Sequence, residues 1–264
     1  MFVQLVDETL QRRGGYDRFP RENYNTYLWV PGEVVDDGFA VPVEAEAPAG
    51  VYGVRLGWYL KGEEQVTALP LIQDGQEVTE SSVVIGPIKV NGPPAGVVVE
   101  TAQPEYRLTA TPLVGSTTAA TPTPLVPGEE AASAAPAGEG AMVELGGIIG
   151  LLGYDLSHQS ESLTLTLYWQ SLAQTETNYT VFVHLRDEAG KTIAQADGPP
   201  VQGRYPTSLW DAGEIIPDRF TVTIPSTLRG YMLAVGLYDP ASGLRLTIPG
   251  TVDNSIILSE VDLR

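Results

Sequence analysis

The sequence predicts an all-β protein with two β-sandwich domains of immunoglobulin or jelly-roll type, the first of which lacks its opening strands. Apolar residues occur in short runs with a period of two, and 28 Gly and 21 Pro residues separate these runs along the 264 residues. No long run has the period of an amphipathic helix. Many short strands separated by turn residues are typical of a two-sheet sandwich.

An internal repeat sets the number of domains at two. Residues 2–7 (FVQLVD) recur as residues 182–187 (FVHLRD), 180 positions later (182 minus 2). The motif Y-x-T-x-L-W-x-x-G-E occupies residues 24–33 and recurs at residues 205–214, one residue further apart. Such drift indicates loop insertions between fixed strands. A repeat of this length is a domain rather than one turn of a solenoid.

The first copy, residues 1–92, is expected to be incomplete. The second copy has two strand-like segments, residues 148–156 and 162–172, before the repeat begins, whereas only Met1 precedes Phe2. We therefore expect a fragment or a start at an internal methionine, and the rival interpretation is that another segment or chain supplies the missing strands. Without those strands, the strand that begins at Phe2 is predicted to present an unpaired edge and part of an apolar face. Further strands of this copy are predicted at residues 39–43, 51–60 and 82–90.

Residues 93–141 are predicted to be a linker rich in Ala, Thr, Pro and Gly. Residues 118–124 and 131–138 are rich in Ala, Thr, Pro and Ser and lack the aromatic and large aliphatic side chains that offset the entropy of ordering, so residues 110–140 are expected to be flexible and extended. Residues 97–106 are ambiguous, because they fit either a last strand of the first copy or an extended arm.

The second copy, residues 142–264, has the pattern of a complete sandwich of about eight strands. Residues 162–169 (SLTLTLYW) alternate between apolar and polar positions and place Leu163, Leu165, Leu167 and Trp169 on one face. The hairpin that follows turns at Asp187, whose side chain accepts backbone N–H groups at tight turns. This copy is expected to form its core without help from the first.

The repeated loop contains the candidate ligand-binding residues, which are Tyr205 and Trp210 and their counterparts Tyr24 and Trp29. In one interpretation these aromatic rings stack on a sugar face. In the other they are plugs that pin a long connection to the core. Because both copies keep the intervening leucine as well as the aromatic residues, the pattern favours packing.

Composition excludes several classes of function. The net charge of -18 disfavours nucleic acid and anionic membrane surfaces, which bind through Lys and Arg. The sequence has no Cys and no apolar stretch of 18 residues, so thiolate sites and membrane insertion by this segment are excluded. No Gly-rich phosphate loop is present, and no cofactor is predicted. Calcium remains an alternative for the acidic residues near strand ends, although turn chemistry explains them as well.

No catalytic residue and no metal ligand is predicted. His158 and His184 are the only histidines, and the first copy has Gln4 at the position of His184. A metal site needs more ligands than these, and the G-x-S-x-G motif of a nucleophile elbow is missing. A hydrolase would require His184 to bond a Ser in an open cleft.

Several strings of the second copy resemble one kind of bacterial module. They are LGYDL at residues 152–156, LTLYWQ at 165–170, YTVFVHL at 179–185, YPTSLW at 205–210 and VGLYDP at 235–240. They are similar to tandem C-terminal β-sandwich modules of large bacterial, Chloroflexota-like membrane proteins that resemble glycosyltransferases of the dolichyl-phosphate-mannose type. The resemblance covers the second copy and the first from Phe2 onward, and it implies no catalytic residue in this part.

From the resemblance and the repeat, we expect a non-catalytic, extracytoplasmic module that is the C-terminal part of a membrane-anchored envelope protein of glycosyltransferase type. The implied partners are a cell-surface glycan or the membrane domain of the parent protein, and nucleic acid is not among them. The alternative is a carbohydrate-binding module that uses the loop aromatics.

Overall fold

A computed structural model describes residues 1–63, 65–108, 123–124, 142–159, 161–224 and 231–261 of the chain. It divides the chain into two compact units, unit 1 (residues 1–95) and unit 2 (residues 96–264). The fold is all-β, as predicted, and the helical segments among the described residues are short 3₁₀ turns. These turns are Thr26–Leu28, Pro200–Gly203 and Thr207–Leu209.

Unit 1 is built on one antiparallel sheet and two small hairpins. Its eight strands are β1 (Phe2–Val6), β2 (Arg12–Asp17), β3 (Gly50–Gly57), β4 (Tyr59–Lys61), β5 (Val66–Ala68), β6 (Ile72–Gln73), β7 (Gln76–Glu77) and β8 (Ser82–Val90). The four-stranded sheet has the order β2-β1-β3-β8, while β4 pairs with β5 and β6 pairs with β7.

Unit 2 contains the two sheets of a sandwich. Its strands are β9 (Tyr106–Arg107), β10 (Thr123–Pro124), β11 (Val143–Leu145), β12 (Ile149–Gln159), β13 (Ser162–Ser171), β14 (Thr180–Arg186), β15 (Thr192–Gln195), β16 (Ile215–Thr223), β17 (Tyr231–Tyr238) and β18 (Ile256–Val261). One sheet has the order β10-β9-β12-β13-β16, with β11 beside β12, and the other has the order β15-β14-β17-β18.

The core of unit 2 follows from the alternation of its strands. Every second residue of β13, from Leu163 to Trp169, is fully buried, because a period of two places these side chains on one face of the sheet. The strands of the second sheet contribute the facing layer, which includes Val183 and Leu185. The hydroxyl of Tyr154 on β12 donates to the carbonyl of Leu258 on β18 (2.8 Å), and this bond joins the two sheets.

The single sheet of unit 1 has the same order as the second sheet of unit 2. The repeat aligns β1 with β14 and β3 with β17, and in both units an aromatic ring lies over a glycine of the neighbouring strand. Phe2 is opposite Gly57, and Phe182 is opposite Gly236. A Cβ atom on either glycine would collide with the ring, so the G-x-Y motif that both copies share marks a close approach.

The boundary between the units differs from the predicted one. Residues 96–108 belong to unit 2, where Val97 and Leu108 are buried and the Val99 N–H donates to the Ile215 carbonyl (3.0 Å). Strand β9 pairs with β12 of the same unit. The ambiguous segment is therefore an arm of the second domain rather than a linker or a strand of the first. The predicted linker between residues 110 and 140 lies almost entirely outside the described residues.

Unit 1 has no counterpart of the other sheet among its described residues. Residues 34–42 align with β16 but form no strand, because the neighbour that β16 pairs with, β13, has no equivalent there. The prediction that β1 has an unpaired edge is wrong, since β1 pairs with both β2 and β3. Val3 and Leu5 of β1 are buried, so the predicted exposure of part of its apolar face is wrong as well. The layer that unit 1 lacks among its described residues is the one beside residues 34–42.

Candidate functional site

The predicted ligand-binding loop of unit 2 is closed by its own contacts. Tyr205 and Trp210 are 0% and 1% exposed, and their ring centroids lie 6.5 Å apart. The indole N–H of Trp210 donates to the Tyr205 carbonyl (3.0 Å), and the Tyr205 hydroxyl donates to Glu214 Oε2 (2.6 Å). Burial and this carboxylate raise the pKa of Tyr205. The loop is pinned from within by a network of aromatic side chains and one glutamate.

A second anchor ties the same loop to the preceding connection. The hydroxyl of Thr207, which is buried, donates to the Thr177 carbonyl (2.7 Å) and accepts the backbone N–H of Tyr179 (2.8 Å). The threonine of the motif is therefore structural. Stacking of a sugar on Tyr205 or Trp210 is incompatible with this geometry, because neither ring presents a face to solvent. Their assignment as ligand-binding residues is corrected to packing.

The equivalent loop of unit 1 has the same backbone and a different environment. Asn25 and Trp29 flank its 3₁₀ turn with φ and ψ values within 15° of those of Pro206 and Trp210. The Tyr24 hydroxyl donates to Glu33 Oε1 (2.7 Å), as Tyr205 does to Glu214, and this bond raises the pKa of Tyr24. Tyr24 and Trp29 are only half-buried, however. The structure brings these two predicted residues together, with ring centroids 6.3 Å apart.

Trp29 lines a largely apolar cavity of about 390 Å³ in unit 1. The Trp58 ring meets it edge-on, with the ring centroids 5.8 Å apart. We call this space the unit-1 cavity, and its other lining residues are Met1, Pro20, Val35, Asp37, Phe39, Leu56, Gly57, Leu71 and Val83. Asp37 is the only charged side chain among them.

The sequence analysis did not identify the unit-1 cavity, although the repeat contains the signal for it. Val35, Asp37 and Phe39 align with Ile216, Asp218 and Phe220, all of which are buried in unit 2, where β16 lies beside β13 in the same sheet. Comparing the burial of each pair would have shown which residues of the first copy lack a cover. The cavity is the space that the missing layer leaves open.

Asp37, which lines this space, has one carboxylate oxygen without a hydrogen-bond partner among the described residues. Its Oδ1 accepts a hydrogen bond from Arg18 Nη2 (2.7 Å), and both side chains are largely buried. Its Oδ2 is also buried and has no hydrogen-bond partner within the described part of the chain. A buried carboxylate oxygen without a donor costs free energy.

Neither histidine has the surroundings of a catalytic base. His184 Nε2 lies 3.4 Å from Asp197 Oδ1, and its Nδ1 is buried without a hydrogen-bond partner among the residues that the structure describes. Burial lowers the pKa of His184 more than Asp197 raises it. His158 is exposed near the end of β12. The Ser partner that a hydrolase would need is missing from the described contacts of His184.

The acidic residues at strand ends serve the turns. Asp187 Oδ1 accepts the backbone N–H groups of Ala189 (3.0 Å) and Lys191 (2.9 Å), and Asp7 makes the same pair of bonds in unit 1. Hydrogen bonds and Arg13 lower the pKa of Asp7 to about 2, the bond from the Thr9 hydroxyl being the largest cause. In the described part of the chain, no group of three or more His, Cys, Asp or Glu side chains is arranged to hold a metal ion.

Asp218 is a buried carboxylate in the core of unit 2. Its Oδ1 accepts the Val201 N–H (2.9 Å), while Oδ2 has no hydrogen-bond partner among the described residues. Burial raises the pKa of Asp218 to about 7, against the opposing effects of Val201 and of the nearby Trp169 indole. Asp218 is 1% exposed, so we assign it to the core.

Comparison with known proteins adds no family. No model of a known protein family matches the chain, and no curated protein matches it. Among the described residues, no helix has the length and apolar character needed to cross a membrane.

Proposed function

We propose that this chain is a non-catalytic tandem β-sandwich module that supports a larger envelope protein. The observation that carries the proposal is the use of the repeated motif in unit 2. Internal hydrogen bonds and packing engage every polar or aromatic residue of this motif, namely its tyrosine, threonine, tryptophan and glutamate. Residues that both copies retain therefore maintain the fold, which is what a supporting module requires.

Incubation of the full chain with chromogenic glycosides and esters tests this proposal. The expected result is no turnover above that of the buffer. The matched control is His184→Gln, because unit 1 has Gln4 at this position and shows that the fold accepts the residue. Turnover by the wild-type chain that disappears in His184→Gln would overturn the proposal in favour of a hydrolase.

We also propose, from the resemblance described above, an extracytoplasmic location in a membrane-anchored parent of the glycosyltransferase type. Protease treatment of intact cells, followed by detection of the chain with an antibody, tests the location. Loss of the chain before lysis is expected. Protection until the cells are lysed would contradict an extracytoplasmic location.

Carbohydrate binding is a second candidate, now confined to unit 1. The observation in its favour is that Tyr24 and Trp29 are half-buried beside an open cavity. Against it, the cavity offers few polar groups, whereas a sugar needs several hydrogen-bond partners. Glycan-array binding that is lost in Trp29→Ala and retained in Leu28→Ala would support this function. Leu28 is a suitable control because it is adjacent and 50% exposed.

A further inference from the structure

Residues 34–42 of unit 1 have the form of a β-strand without a partner. Along residues 34–41 exposed and half-buried side chains alternate, and Val35, Asp37, Phe39 and Val41 share the inner face. No described backbone hydrogen bond engages the N–H groups of this segment. The carbonyls of Asp36 and Gly38 accept hydrogen bonds from Arg21 (3.2 Å) and Arg18 (2.7 Å). An extended segment whose N–H groups lack backbone partners is a template for the addition of another strand.

Unit 2 shows what covers the equivalent surface. There β13 pairs antiparallel with β16, and its inner side chains lie opposite the counterparts of the unit-1 residues. Trp169 is opposite Ile216, Leu167 opposite Asp218, Leu165 opposite Phe220 and Leu163 opposite Val222. Every one of these β13 side chains is fully buried. Their equivalents in unit 1 would fall over the unit-1 cavity.

We propose that unit 1 binds an extended peptide segment as an added β-strand, antiparallel to residues 34–42. The segment has the pattern Leu-x-Leu-x-Leu-x-Trp, or close apolar substitutes, so that its final aromatic ring lies opposite Val35 and enters the unit-1 cavity. The polar residues between them face away from the core. This peptide site does not depend on whether the chain is an enzyme.

The charge of the site agrees with this occupant. The free oxygen of Asp37 lies on the inner face, two residues from Val35, and it lacks a donor within the described residues. The indole N–H of the incoming tryptophan would lie on the same face, although in unit 2 neither Trp169 Nε1 nor Asp218 Oδ2 makes a hydrogen bond among the described residues. A sugar fits less well, since the cavity lining provides few other polar groups.

A second copy of the chain is the less suitable occupant. Its own Leu163, Leu165 and Leu167 are already in the core of unit 2 and are fully buried. To donate β13, unit 2 would have to open and expose that core to water, at a large cost in free energy. A segment that is not already folded has no such cost.

Binding of a labelled peptide to the full chain tests the proposal. The probe is a fluorescein-labelled, lysine-tagged peptide with the sequence of residues 161–172 (ESLTLTLYWQSL), measured by fluorescence anisotropy. The control peptide has the same composition, but each apolar residue within 163–169 exchanges places with a polar neighbour. Because a shift of one residue turns every side chain to the opposite face, the control should bind at least about tenfold more weakly.

Two matched variants of the chain locate the site. Val35→Trp fills the unit-1 cavity from within and is expected to abolish binding without unfolding unit 1. Val34→Trp adds the same side chain at the neighbouring position, which is 92% exposed, and should leave binding unchanged.

Three results would overturn the proposal. The first is no saturable binding, or equal binding of the two peptides. The second is binding that Val35→Trp leaves intact, because the peptide would then have entered unit 2 or another surface. The third is a dimer of the peptide-free chain that Val35→Trp dissociates, which would assign the face to a second copy.

Discussion

The two copies of the tyrosine–tryptophan loop have one conformation and two environments. Both contain a 3₁₀ turn and a tyrosine that donates to the glutamate nine residues later. Yet Trp210 is buried, whereas Trp29 is half-exposed beside a cavity. Local hydrogen bonds therefore determine the shape of the loop. We infer that the sheet containing β12 and β13, which has no counterpart among the described residues of unit 1, determines whether the aromatic residue of the loop is covered.

The segment that follows each loop also differs between the two units. Strand β16 pairs with β13 and buries alternate side chains, while residues 34–42 keep the alternation but form no ladder. In unit 1, apolar side chains are exposed on both faces of β8, where Val84 and Ile85 are at least half-exposed. In unit 2, Ile256 and Leu258 of the corresponding β18 are buried. Burial of these side chains therefore requires both sheets of the sandwich.

The largest expected difference between the units is in stability. A covering strand with four apolar side chains contributes on the order of 6–12 kcal/mol of burial, at about 1.5–3 kcal/mol each. That rivals the net stability of a whole domain, about 5–15 kcal/mol. We expect amides of β1 and β3 to exchange with solvent far faster than those of β14 and β17. Hydrogen exchange of the full chain, followed by mass spectrometry, measures both sets together.

Separate expression of the units tests the same difference. Residues 96–264 should melt cooperatively, whereas residues 1–95 should be unstable or self-associate. The second fragment must begin at residue 96, since Val97 and Leu108 are part of its core. A monomeric first fragment that melts cooperatively at the midpoint of the second would contradict the importance of the missing layer.

Substitution of the two loop tryptophans should have unequal effects. Trp210→Ala removes a buried ring and its hydrogen bond to Tyr205, and it should lower the stability of unit 2 by about 3–5 kcal/mol. Trp29→Ala removes a half-buried ring whose N–H has no partner among the described residues, so the loss should stay below about 2 kcal/mol. Urea unfolding followed by circular dichroism measures both variants. Equal losses would mean that Trp29 is as well packed as Trp210.

The aspartates Asp218 and Asp37 provide a pH-dependent comparison. Because burial raises the pKa of Asp218 to about 7, folded unit 2 retains a proton that the unfolded chain releases above about pH 4. Unit 2 should therefore lose stability between about pH 4 and 7, by up to about 4 kcal/mol. Asp218→Asn should be as stable as the wild type near pH 4 and more stable above pH 7.

In unit 1, Asp37→Asn should have the opposite effect at neutral pH, because it removes the ion pair with Arg18 (2.7 Å). Thermal melts of both variants across this pH range separate the two outcomes. A difference between Asp218→Asn and the wild type that does not change with pH would show that Asp218 is not protonated in the folded state.

Much of the fold could be predicted from the repeat, because the repeated residues act through local contacts. The turn at Asp187 and the alternation of β13 were predicted and are confirmed. The pairing of β1 and the placement of residues 96–108 were not, since both depend on which distant strand lies alongside. Sequence periodicity shows which face of a strand is apolar, but it does not identify the neighbouring strand. The unit-1 cavity was missed for the same reason.

The smallest expected effect concerns the one residue by which the two loops differ at the start of the 3₁₀ turn. Asn25 has φ -66° and ψ 143°, and Pro206 at the equivalent position has φ -67° and ψ 150°. The backbone N–H of Asn25 makes no described hydrogen bond that proline would remove. Asn25→Pro should therefore stabilise unit 1 by about 0.4–1 kcal/mol, because it restricts the unfolded chain without straining the folded one. Pro206→Asn should weaken unit 2 by a similar amount, and urea unfolding of both variants checks the symmetry. A destabilising Asn25→Pro would show that the loop of unit 1 needs the Asn25 side chain, which donates to the Tyr27 hydroxyl (3.3 Å), more than it needs a fixed backbone.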